Sequence, residues 1–150
     1  IDIPLNEMDA DTQSECLLII ATAQGAIGDN TGMEASASEA LKNFEDVNSD
    51  YIKVKILSLL ANAKLTVGDG IGARDDISKA INIMDEFYPK TDYFIVDSYI
   101  KIATAQIKAL DKSGAEETLL KARDVNLPAL QDMKVEILSN MAALFKELGG

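Results

Sequence analysis

Apolar residues recur along this chain at helical spacing, and strand-like alternation is scarce. Over residues 50–67, Ile52, Ile56, Leu57, Leu59, Leu60 and Ala63 form one wide stripe, the pattern of an amphipathic helix with a broad buried face. Asp50 is expected to cap its start, because a carboxylate accepts the orphan amides of a first turn. Gly68 ends it, since glycine takes the left-handed cap conformation readily. From Ile71 to Phe87 a second helix is predicted, with Ala73, Ile77, Ala80, Ile81 and Met84 on one face and Pro89 closing the pair. The same reading places helices over 9–27 and 32–44, joined at Gly28-Asp29, and over 92–110 and 113–125, closed by Pro128. Ser113, with Glu116 three residues on, reads as a capping box. FEDVNSD over 44–50 is a turn-rich link, and a seventh helix is predicted over 129–148.

The pattern repeats. IATAQGAIGD begins at residue 20, LANAKLTVGD at 60 and IATAQIKALD at 102, with a fainter MAALFKELGG at 141, in steps of 40, 42 and 39. A period between about 20 and 50 residues marks stacked structural units. The expected fold is all-α: a right-handed α-solenoid of about three and a half antiparallel helix pairs. Its units are 9–46, 50–89 and 92–127, followed by a capping helix over 129–148, in a single domain spanning 1–150. A lone last helix would cover the apolar face of the third unit, which includes Leu119, Ala122 and Val125.

Gly68, Asp69, Ala73 and Ala80, with Leu60-Ala61 in the helix before them, resemble the tetratricopeptide repeat. Unit three keeps Ile102-Ala103, Asp111, Ala115 and Ala122 but has Leu110 at the glycine. Unit one keeps Ile20-Ala21, Gly28-Asp29 and Ala40 but has Met33 at an alanine position. Gln24, Lys64 and Gln106 depart from the family's second aromatic position, and the closing proline is not at its usual spacing. The period also exceeds that repeat's roughly 34 residues, so a HEAT-like stack or a globular bundle is the alternative fold. The small residues carry their own argument. Ala61, Ala73 and Ala80 belong where helix backbones approach closely and larger side chains would overpack.

Charge and chemistry narrow the function. The chain has 14 Lys plus Arg against 25 Asp plus Glu and a net charge of −11. With no basic cluster, nucleic-acid binding and docking on an anionic membrane are disfavoured. No apolar run is long enough for a membrane span. There is no His, and the single Cys16 sits in the run CLLII, so no cofactor or metal is expected and a buried thiol is the simplest reading. GDGIG at 68–72 follows a helix and lacks the third glycine of a dinucleotide loop, which makes it a turn. DADTQSE at 9–15 starts like a calcium loop, but Ser14 and Ile20 stand at the required Gly and Glu. The acidic pairs Asp75-Asp76 and Glu116-Glu117 are expected on exposed faces, and Tyr51, Tyr88, Tyr93 and Tyr99 in packing or at helix ends. No nucleophile–base pair emerges, so an enzyme is not expected.

The reading is a non-catalytic scaffold that binds a protein or peptide segment on the concave face of the solenoid. By the resemblance that groove is lined by Glu15, Leu18 and Thr22, then Lys55, Ser58, Asn62 and Leu65, then Asp97, Ile100, Thr104 and Ile107. Glu136 and Ser139 would extend it, while Asp76 and Lys79 would face outward. It lacks a Lys/Arg clamp for a terminal carboxylate, which favours an extended or helical segment. The alternative is a structural spacer or self-assembly module of a larger protein, with homo-oligomers as its signature. Ile1 in place of Met suggests a processed or excised piece. The compartment stays open between the cytoplasm, which the single cysteine favours slightly, and a periplasmic or secreted setting.

Overall fold

The computed structural model describes residues 9–42, 44–47, 49–86, 93–124, 139, 142–144 and 146–147, the side chains of 93–95 excepted. All of its described secondary structure is helical: α1 (Ala10–Ala26), α2 (Asn30–Ala40), a 3-10 turn (Phe44–Asp46), α3 (Asp50–Thr66), α4 (Gly70–Asp85), α5 (Tyr93–Lys108) and α6 (Lys112–Asp124). Pro89, Pro128, Tyr88, Val125 and Glu136 lie outside the described residues. Of the helix expected over 129–148, residues 139, 142–144 and 146–147 are described and helical, and Leu144 packs against the core.

Each pair turns in the same way. Asp29, Asp69 and Asp111 each accept, through Oδ1, the amide of the glycine three residues on, at 2.9, 2.8 and 3.1 Å. This satisfies one orphan donor of the second helix. A Cβ on Gly32, Gly72 or Gly114 would fall 2.1–2.2 Å from the capping carboxylate, so the unit is Asp-x-x-Gly, a spacing visible in the sequence but not read there. Asp111 therefore starts α6, and Ser113 lies inside the helix instead of capping it. Asp50 is likewise already helical. Ser49, in extended backbone, places its Oγ 3.3 Å from the Ile52 amide and caps α3. The expected calcium-like stretch is a helix start, with Asp9 accepting from Thr12.

Before each Asp the chain must pass through a left-handed residue. Gly28 and Gly68 do so at φ 86° and 80°, and Leu110 does so at φ 62°. A left-handed leucine costs about 1–2 kcal/mol, and a glycine there would add about 0.4–1 kcal/mol of unfolded-chain entropy. Leu110 is 80% exposed and gives up little burial. Leu110→Gly is therefore expected to raise stability by up to about 1 kcal/mol, seen as a melting midpoint a few degrees higher by circular dichroism. A lower midpoint would show that the turn tolerates leucine without strain.

Helices pack within pairs (α1 on α2, α3 on α4, α5 on α6), and the first helices pack side by side, α1 on α3 and α3 on α5. Small residues permit this. Ala21, Ala61 and Ala103 are fully buried, as are Ala40, Ala73, Ala80 and Ala115. At Gly25 the approach of α1 to α3 is so close that a Cβ would fall 1.9 Å from Thr66 Oγ1. The interior forms two cores. One joins α1 and α2 to Ile56, Leu60 and Ala63 of α3. The other joins the opposite side of α3, through Val54, Leu57 and Ala61, to α4, α5 and α6.

Candidate functional site

The expected groove residues recur at matched positions of the three adjacent first helices: 15/55/97, 18/58/100, 22/62/104 and, on the last two, 65/107. Glu15, Thr22, Lys55, Asn62, Leu65, Asp97, Ile100, Thr104 and Ile107 are all half-buried. Leu18 and Ser58 are buried instead and do not belong to this surface. Ser58 turns inward and donates its hydroxyl to the Val54 carbonyl at 2.9 Å, a bond available to any serine with a free carbonyl one turn back. Ser139 is exposed.

One end of this face is ionic. Lys55 Nζ lies 2.6 Å from Glu15 Oε1, bridging α3 to α1. On the other flank, Tyr51 donates to Asp97 Oδ2 at 3.1 Å, and Lys101 reaches the same oxygen at 2.5 Å. One charge pair thus joins α3 to α1, while Asp97 and Lys101 pair within α5 and the Tyr51 hydroxyl ties them to α3. The middle of the face is less polar than its residue names suggest. Thr22 and Thr104 donate their hydroxyls to the Leu18 and Ile100 carbonyls at 2.9 and 2.8 Å, leaving their methyl groups as the outward feature. Asn62 holds its Oδ1 inward, where no donor meets it. Leu65 and Ile107 make the far end aliphatic, and Leu65 and Ile100 also rest on the second core.

In the first two pairs a polar contact joins the first helix to the second. In unit one Ser36 donates to Gln24 Oε1 at 2.8 Å. In unit two the matched residues are Lys64 and Asp76, with Nζ 2.7 Å from Oδ2. In unit three they are Gln106 and Thr118, both buried, and Gln106 Oε1 meets no donor. Gln24 and Lys64 are therefore bridging residues, which accounts for their lack of aromatic character, and Gln106 is a buried polar side chain at the third matched position. Asp76 corrects the expectation of an outward residue. It is 2% exposed, whereas Asp75 and Lys79 beside it are exposed and paired with each other. Burial raises the Asp76 carboxyl above its ordinary value, and the hydrogen bond and charge of Lys64 offset only part of that.

The far side of α3 floors two hollows of about 520 and 330 Å3, which share Leu41, Leu60 and Lys64. Lys64 is committed to Asp76. Among the described residues no three His, Cys, Asp or Glu side chains converge to hold a metal ion. No described helix is long and apolar enough to cross a membrane. Comparison of the chain with family models, with curated proteins and with solved structures returns no match.

Proposed function

We propose that this chain is a non-catalytic scaffold that holds a protein or peptide segment against the face of its first helices. On this reading the helix pairs form a right-handed, tetratricopeptide-like solenoid and that face is its concave side. The carrying observation is the half-burial of nine matched positions across α1, α3 and α5. Even a side chain as long as Lys55 lies down along it, at 25% exposure. A surface curved inward shields side chains in this way, and a segment laid in it would meet all three helices at once.

The face also says what the segment should carry. Its charges are already paired at one end, its threonine hydroxyls are already bonded, and its other end is aliphatic. The fitting partner presents small apolar side chains toward Leu65 and Ile107, with neutral or basic residues around them to suit a chain of net charge −11. Once a partner has been captured from native extract and mapped by crosslinking, Asn62→Arg and Thr104→Arg are expected to weaken its binding about tenfold or more, as central interface positions do. Their melting midpoints should change little. Asp75→Arg and Lys79→Glu, on the exposed side of α4, are expected to leave binding within about twofold. Loss of binding in the α4 variants, with binding retained in the others, would move the interface to the second helices.

A further inference from the structure

The three first helices carry the same packing face, and only two of them use it. On α3 this face is Ile56, Leu59, Leu60, Ala63 and Val67, all packed into the first core against α1 and α2. On α5 the matched residues Ser98, Ile102, Ala105 and Ala109 are buried in turn, and Lys101, at the position of Leu59, is half-buried and paired with Asp97. On α1 they are Cys16, Ile19, Ile20, Ala23 and Ile27. No described element lies on them: Ile19 is 57% exposed, Ile20 41% and Ile27 82%. The face has no charged side chain, in a chain whose other surfaces are acidic. It thus has the composition of an inter-unit contact and the exposure of a surface.

We propose that this face of α1 is a homodimer interface, in which a second copy of the chain packs its own α1 face against it about a two-fold axis near Ile20. Three observations select a second copy. On α3 and α5 the matched face is already covered by neighbouring helices, so its shape suits another helix. Its lack of charge lets two chains of net charge −11 meet without placing carboxylates in contact. An isologous pair uses this face alone and closes on itself, whereas a head-to-tail chain would need a second, complementary surface; Leu144 packs on the core of α3 to α6. In an antiparallel pairing Ile20 meets its own copy, and Cys16 faces the partner's Ala23. The contact spans one helix of 17 residues, small beside a standard interface, so the dimer forms and dissociates with concentration.

Sedimentation equilibrium over a concentration series tests this. The wild-type mass is expected to rise from 16.2 kDa toward twice that value and to stop there. Ile20→Glu and Ala23→Glu, which bring like charges together across the axis, are expected to hold the monomer mass over the same range. Circular dichroism checks that both variants keep their helix content, and the two sites make the outcome independent of either one folding poorly. Ile20→Cys in a Cys16→Ser background is expected to crosslink to a dimer under mild oxidation, and Lys42→Cys in the same background is not. A wild-type mass fixed at 16.2 kDa, growth beyond the dimer, dimers that survive both Glu variants, or a dimer without the residue 20 crosslink would each overturn the proposal.

Discussion

Lys64→Gln alone is expected to destabilise the protein by on the order of 3 kcal/mol, while Lys64→Gln combined with Asp76→Ser is expected to recover most of that loss. The single change leaves a carboxylate that is 2% exposed without its cation, and an uncompensated buried charge is far more costly than the pair it came from. The double change installs the neutral Gln–Ser bridge that unit one builds at the same two positions, Gln24 and Ser36. The coupling between the two sites should be about 1–3 kcal/mol, the size seen for residues in direct contact. The pH dependence gives a second handle. The folded pKa of Asp76 lies above its ordinary 3.8. The stability contributed by this group is therefore fully present below 3.8 and is lost as pH rises through the folded value. Removing Lys64 takes away the cation that lowers that value, so the deficit of Lys64→Gln should be greatest at neutral pH and shrink on acidification. Urea unfolding of the wild type, Lys64→Gln, Asp76→Ser and the double variant at neutral pH and near the ordinary carboxylate value measures both effects. Equal losses for the single and double variants would mean that the pair contributes no specific coupling.

Leucine at Ala61 or Ala103 is expected to cost about 1–3 kcal/mol. Both alanines are fully buried, on helices flanked by other helices. Ala61 in particular lies on the central helix, which packs against α1, α4 and α5. The added atoms have no void to enter and must push backbones apart or take strained rotamers. Ala23→Leu provides the contrast. It occupies the repeat position of the fully buried Ala63 but is exposed, so it is expected to change stability by less than about 0.5 kcal/mol. Thermal melts of the three variants check this. Unchanged midpoints at Ala61 and Ala103 would show that the first helices do not approach as closely as their fully buried alanines imply.

The repeat was legible because its marks are backbone requirements. A left-handed turn residue, a capping Asp and alanines at contacts each admit few residue types, so they recur visibly in the sequence. The helix starts were read one or two residues off, at Asp50 and Ser113. Ser, Asp and Asn all cap well, and only backbone geometry selects Ser49 and Asp111. Asp76 was misread for a different reason. Periodicity records that its neighbours Asp75 and Lys79 face solvent, but it cannot record a partner twelve residues earlier on another helix. The candidate face was legible as a set of matched positions. Its polarity was not, because the names Thr22, Ser58 and Thr104 do not reveal hydroxyls turned back onto carbonyls of their own helices.

Because α3 contributes Ile56, Leu60 and Ala63 to one core and Val54, Leu57 and Ala61 to the other, it also constrains the route by which the chain assembles. The substantial helix contacts join elements no more than two apart in order, so each new contact closes only a short loop and the entropic barrier to each step is low. A productive nucleus consists of α3 with either neighbouring group, α1 and α2 on one side or α4 and α5 on the other, and the remaining helices add by accretion. Loss of one terminal pair then leaves a partly folded molecule organised around α3, whereas damage to α3 removes the template for both halves together.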